Sequence, residues 1–182
     1  MAKPIERYRN LILSSTINAD TVNKIINEIM EINYDDDIKE SEYKDWERKP
    51  IFLFINSYGG VVYDGLALVD VIKRSKTPVY TVCIGSCMSM GLWIWLSGAK
   101  RIIGENATLM FHDVANWSYD KTEGLKQELN EALRLQEMII GEIINKSLIK
   151  EEILRDYITR KAEWYIPSST AIELKLADEY YK

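Results

Sequence analysis

Thr77–Ala99, TPVYTVCIGSCMSMGLWIWLSGA, holds no charged residue and lies between Lys76 and Lys100. It is long enough to cross a bilayer as a helix, so its reading decides between a membrane span and a core segment of a water-soluble fold. The run changes character partway along. VYTVCI is β-branched and strand-like, Gly85 punctuates it, and Ser86, Ser89, Gly91, Ser97 and Gly98 dilute the remainder. A buried strand, a turn at Gly85 and a buried helix are therefore predicted, and no membrane partner.

The flanking sequence repeats this alternation. IFLFI (Ile51–Ile55) is an unbroken apolar run of strand length, ended by NSYGG and followed by a helix through Leu68, Val69 and Ile72. Upstream, LIL is strand-like, and Asn18 can cap a helix whose Val22, Ile25, Ile26, Ile29 and Met30 share one face. NYDDDIKESEYKDWERKP (33–50) carries mixed charge without an apolar period and reads as an exposed charged insertion. RII and ATLMFH are further short strands. A long helix from about Asp120 to Asn145 places Leu125, Leu129, Ala132, Leu133, Gln136, Ile140 and Ile143 along one side, as a helix that packs on a neighbour would. EEILRDYITR, EWYI and a helix opened by Pro167 complete the chain. Strands alternating with helices predict an α/β fold with a parallel sheet, whose ligand crevice lies beyond the strand ends, where NSYGG and GSCMS fall.

The 182 residues suit a single domain, 1–182, large enough to bury a core without disulfides or metal. With 23 basic against 28 acidic residues the net charge is −5, which gives no field for binding nucleic acid. Two cysteines and one histidine cannot close a zinc site of the usual kind, so no metal and no cofactor is expected. Cys83 and Cys87 read as reduced thiols of a cytoplasmic protein, and MAKPIERYRNLIL lacks the apolar core of an export signal.

Chemistry concentrates at Ser89 and His112. A serine hydroxyl becomes a nucleophile only when a base takes its proton and backbone donors stabilise the oxyanion. Ser89 falls at the first turn of a helix leaving a buried strand, where free N–H groups and the dipole favour negative charge. GSCMSMG departs from a strict G-x-S-x-G elbow, because Cys87 holds the first glycine position while Gly91 keeps the last. Ser89 alone reads as packing, and His112 alone as a hydrogen-bonded core residue; together they point to acyl transfer. Cys87 is a rival nucleophile, although two residues away on a helix it cannot share the direction of Ser89.

Three segments carry a family resemblance. FINSYGGVVYDGLAL is similar to the INSPGG stretch of Clp protease proteolytic subunits, GSCMSMG to their GxAASMG, and LMFHD to their MIHQP, in the family's order and with similar spacing. The resemblance spans about Asn10 to Asp178. It implies a ClpP/crotonase-like fold of repeated β-β-α units with a projecting long helix, and serine endopeptidase activity on peptides or unfolded proteins inside a ring-forming homo-oligomer. It makes Ser89 the nucleophile and His112 the general base, with the backbone N–H groups of Gly60 and Met90 as the oxyanion hole. AIELKLAD resembles the family's AxEYGLID, and counting back from it sets the third triad member at Glu163; counting from ILRD suggests Asp156 instead. An AAA+ unfoldase is the implied partner, although few residues precede RYRNLIL and the family's N-terminal axial loop is expected to be largely absent.

The departures are specific. Tyr58 stands where the family has proline, HDV stands where it has HQP, and Lys175 stands where a glycine closes the last helix. ANWSYDKTEG replaces a glycine-rich stretch, leaving Trp117 and Tyr119 to grip substrate or to anchor a subunit contact. Two rival functions stay open at this point: a catalytically weak or inactive structural subunit, and a crotonase-type acyl-CoA enzyme.

Overall fold

The structure, a computed structural model, describes residues 7–114 and 122–182; the roles expected of Trp117 and Tyr119 lie outside the described residues. In chain order the first elements are β1 (Asn10–Leu13), α1 (Ala19–Glu42), β2 (Ile51–Ser57), α2 (Val62–Arg74), β3 (Val79–Met88) and α3 (Met90–Leu96). Then come β4 (Lys100–Ile103), β5 (Thr108–Phe111), α4 (Thr122–Lys146), α5 (Glu151–Thr159), β6 (Trp164–Pro167), α6 (Ser168–Glu173) and β7 (Glu179–Tyr180). Strands β1, β2, β3, β4 and β7 lie side by side, all parallel; β5 pairs in parallel with the far end of β3, and β6 pairs antiparallel with β5. This is the predicted α/β class.

The uncharged run forms the centre of the molecule. All residues of α3 are buried, and a helix apolar on every side is stable in water only where protein surrounds it. Among the described residues no helix is long and apolar enough to cross a membrane.

One boundary moves. Gly85 does not end β3, which continues to Met88. Instead it bends the strand with φ +76, and a side chain there would press to 2.8 Å from Asn56 Oδ1. The register slips at the bend, from Ile55↔Cys83 to Ser57↔Cys87. The first half of β3 therefore pairs with β4, through Tyr80–Cys83, and the second half with β5, through Ser86–Met88. The bulge re-aims the strand end, which delivers Ser89 rather than Gly85 to its tip.

The exposed insertion expected at 33–50 is corrected as well. Its first ten residues continue α1 to Glu42, and Asp36 within them is fully buried. The start of α1 is as expected: Asn18 Oδ1 accepts the Thr21 N–H at 3.0 Å, and Thr21 Oγ1 accepts the Asn18 N–H at 3.1 Å, a reciprocal cap. Helix α4 divides along its length. Gln136, Ile140 and Ile143 pack on the body, whereas Leu125, Leu129 and Leu133 stay exposed.

Lys175 ends α6 in the left-handed region, φ +54. Its N–H bonds the Ile172 carbonyl at 3.0 Å, and the Leu176 N–H bonds Ala171 at 2.8 Å, the pattern that normally recruits glycine. A lysine there carries the steric cost of its Cβ. Lys175→Gly is expected to raise stability by about 0.5–1 kcal/mol, read as a higher urea midpoint at unchanged slope; a lower midpoint would show that the lysine side chain stabilises the turn.

Candidate active site

Ser89 occupies the one-residue joint between β3 and α3, with φ 53 and ψ −122. Such a conformation is strained for a residue with a Cβ and persists only when its surroundings enforce it. Here they do. The Ser89 N–H bonds the Met110 carbonyl at 3.0 Å, and the Ser89 carbonyl accepts the Leu92 N–H at 3.0 Å. Gly91 lets α3 approach β2, since a Cβ on it would stand 3.0 Å from the Ser57 carbonyl oxygen.

His112 comes directly after the last residue of β5. Its Nε2 lies 2.7 Å from Ser89 Oγ, so β3 and β5, adjacent in the sheet, bring the two side chains together from 23 positions apart. With the serine O–H directed at Nε2, the ring proton sits on Nδ1, the atom a triad acid would accept from.

The NSYGG loop faces this pair. Gly59 has φ +106, and a Cβ there would collide with Ser89 Cβ at 2.8 Å. At Gly60 a Cβ would lie 2.1 Å from the Ile17 carbonyl oxygen. The loop is pinned by Ile17, whose N–H bonds Gly59 O at 3.0 Å and whose carbonyl accepts the Val61 N–H at 2.9 Å. Ser57 pins it from beneath, donating to Ser15 O at 2.7 Å and accepting the Gly59 N–H at 3.2 Å. Sequence reasoning passed over Ser57 and Ile17; the polar residue at the end of β2, just ahead of the glycine turn, was the available signal. Met90 begins α3, where N–H groups have no acceptor within the helix. Gly60, Ser89, Met90, Met110, His112 and Ile139 are among the residues around a cavity of about 180 Å³.

The acid candidates separate. Carrying the β5–β6 register one step beyond Phe111↔Trp164 sets Glu163 across from His112. Its carboxylate, however, accepts the Tyr165 hydroxyl at 2.5 Å, and no hydrogen bond joins Glu163 to His112. Asp156 lies exposed on α5 in an ion pair of 2.6 Å with Arg160 at the end of the same helix. Cys87 is fully buried beside Ile55, and burial pushes its thiol well above the ordinary range; a protonated thiol out of solvent is no nucleophile. The Cys87 alternative is thereby removed.

A strained serine at a strand-to-helix joint, within proton-transfer distance of an imidazole and beside a pinned glycine loop, is the arrangement of α/β serine hydrolases. The model of the Clp protease family matches residues 1–181. ATP-dependent Clp protease proteolytic subunit 1 of Prochlorococcus marinus (strain NATL2A) is 28% identical over 177 residues, 96% of this chain and 84% of that one. The ATP-dependent Clp protease proteolytic subunit of Chaetosphaeridium globosum is 32% identical over 158 residues, covering 82% of this chain and 74% of the relative. A ClpP1 variant from Listeria monocytogenes superposes with a TM-score of 0.80 at 22% identity, covering 96% and 92% of the two chains, which establishes the shared fold. The chain belongs to the Clp protease family, whose members are serine peptidases. The family forms oligomeric chambers that work with partner unfoldases.

Proposed function

We propose that this chain cleaves extended peptides and unfolded polypeptides with Ser89 as nucleophile, His112 as general base and Glu163 as the acid behind it. The carrying observation is the 2.7 Å contact between Ser89 Oγ and His112 Nε2. Ser89 Oγ attacks the scissile carbonyl while its proton passes to Nε2. The tetrahedral oxyanion then faces the Gly60 and Met90 N–H groups, and Nε2–H gives the proton to the departing amine. Water, deprotonated by the same nitrogen, attacks the acyl-enzyme, releases the new carboxylate and restores the hydroxyl. The cavity beside the pair is lined by Val62, Leu92, Trp93, Phe111 and Ile139. An apolar cavity of about 150 Å³ holds a benzene ring, so an apolar side chain next to the cleaved bond suits this one.

A homo-oligomeric chamber supplies selectivity by admitting only unfolded chains. The exposed row Leu125, Leu129 and Leu133 on α4 supports subunit contact there. An AAA+ unfoldase as feeder and a cytoplasmic setting accord with the family and with two free buried cysteines. A second reading, a ring subunit without catalytic activity, draws on Glu163 bonding Tyr165 instead of His112.

A fluorophosphonate probe separates the two. The assembled protein is expected to form an adduct on Ser89 with loss of fluoride, and Ser89→Ala to form none. Equal labelling of both proteins, or of neither, defeats the peptidase reading.

A further inference from the structure

The acid candidate faces two possible donors. In an antiparallel pair, directly opposed residues point to the same side, and so do residues two apart on one strand. Met110 is opposed by Tyr165, and the next position on that side joins His112 to Glu163. Tyr165 and Glu163 therefore share one face of the β5–β6 ladder with Met110 and His112. Trp164 and Ile166 alternate to the other side, where Leu109 and Phe111 are buried.

We infer that Tyr165 is a positioning residue for this site: its hydroxyl holds the Glu163 carboxylate away from His112, and the imidazole gains its acid only when that hydrogen bond is exchanged. The inference rests on the assignment of Ser89, His112 and Glu163 made above. An O–H···carboxylate contact of 2.5 Å is at the short, charge-assisted end of the range. It raises the Tyr165 phenol above its ordinary range by that hydrogen bond first and by the carboxylate charge second, so the tyrosine keeps its proton and stays a donor at neutral pH.

Exchange remains accessible. Tyr165 is 53% exposed and Glu163 is exposed as well, so water competes for both groups and the bond is worth little in net stability. The extra methylene of glutamate relative to aspartate gives the carboxylate the reach to serve either donor. Arg160, the guanidinium next to this strand in sequence, is engaged by Asp156 and lies over the Tyr157 ring, which itself stacks on Trp164. No other partner of the Glu163 carboxylate occurs among the described residues. The structure thus records the open arm of a two-position acid: the nucleophile and base are joined while the acid waits on Tyr165.

The chain's single histidine allows a direct test. With histidine labelled at ¹³Cε1, the titration of His112 is followed by NMR in the assembled wild type, Tyr165→Phe, Glu163→Ala and the double variant. Asp113, which lines the same cavity, is common to all four. Freed from the phenol, Glu163 pairs with Nδ1–H and favours the imidazolium. The midpoint in Tyr165→Phe is therefore expected to rise by about one pH unit, with kcat for a short peptide rising several-fold at unchanged KM. Glu163→Ala alone leaves the midpoint where the wild type has it, and Tyr165→Phe does nothing further in that background. An unchanged or lowered midpoint in Tyr165→Phe, or a fall in Glu163→Ala, overturns the inference. The latter would mean that the acid already serves the imidazole, and it decides the matter even if the tyrosine variant fails to fold. Absence of peptide turnover in all four proteins would strike the peptidase assignment, while the midpoints still judge the role of Tyr165.

Discussion

Ser89→Ala is expected to lower kcat for a short fluorogenic peptide by on the order of 10⁴-fold or more, His112→Ala by a similar factor, and the double variant no further. The non-additivity is the informative part. In the proposed mechanism Oγ and Nε2, 2.7 Å apart, act as one device: the hydroxyl attacks only as its proton leaves, and the imidazole has no other proton to take at that moment. Removing either member removes the whole step, about 5 kcal/mol of barrier lowering for a 10⁴-fold loss. Each variant keeps the pinned glycine loop and the apolar cavity, which still orient a carbonyl for attack by water. Turnover in the double variant well below either single variant would mean that the two side chains work separately. Ser89→Ala at wild-type turnover would end the assignment.

The strain at Ser89 bears on the same experiment. With φ 53 and ψ −122, alanine at this joint meets the same backbone cost as serine, so Ser89→Ala tests the hydroxyl and leaves the conformation alone. The enforcing bonds all come from backbone: the Met110 carbonyl on one side and the first turn of α3 on the other. None of them uses Oγ, whose hydrogen-bond partner is His112.

The uncharged run at 77–99 was legible as a strand and a helix because its apolar residues lose β-branching partway and its small residues cluster near the joint. The joint itself was misplaced. Glycine reads as a breaker in a single sequence, and only the register slip between β2 and β3 shows Gly85 bending a strand that continues. Ser89 and His112 could be singled out as residues, but their meeting depends on β5 choosing the far end of β3 as its partner, a long-range pairing that no local pattern encodes. Counting along the chain offers Asp156 as well as Glu163, the acid proposed here. Its engagement with Tyr165 depends on side-chain geometry two residues away on an edge strand, and nothing in EWYI announces it. The continuation of α1 was missed for a related reason. The buried stripe runs Val22, Ile25, Ile29, Ile32 and then Asp36, keeping helical spacing while abandoning apolar chemistry. A reading guided by hydrophobicity stops at Ile32, ten residues before the helix ends at Glu42.

That aspartate carries the second large effect. Asp36 is fully buried, and Arg9 grips it through two bonds, of 2.9 and 2.5 Å. Thr77 Oγ1 donates to it at 2.7 Å while accepting from Arg48 at 3.1 Å, and Arg9 also donates to the Lys49 carbonyl at 2.9 Å. One carboxylate thus ties α1 to the residue ahead of β1 and to the turns entering β2 and β3. Asp36→Ala leaves a guanidinium only 9% exposed without its counter-charge, and breaking such a pair costs about 3–5 kcal/mol. In a domain of this size the melting temperature should fall by about 10 °C. The pH dependence comes from the same contacts. Burial alone would raise the Asp36 pKa, but the hydrogen bonds from Arg9 and Thr77 and the charges of Arg9 and Arg48 outweigh it and hold the carboxyl below its ordinary value. A depressed folded-state pKa contributes stability above the unfolded-state value and loses it as pH falls toward the folded-state value. The gap between wild type and Asp36→Ala should therefore be widest near neutral pH and close on the acid side. A gap independent of pH would show that Asp36 acts by filling space, with its charge contributing nothing.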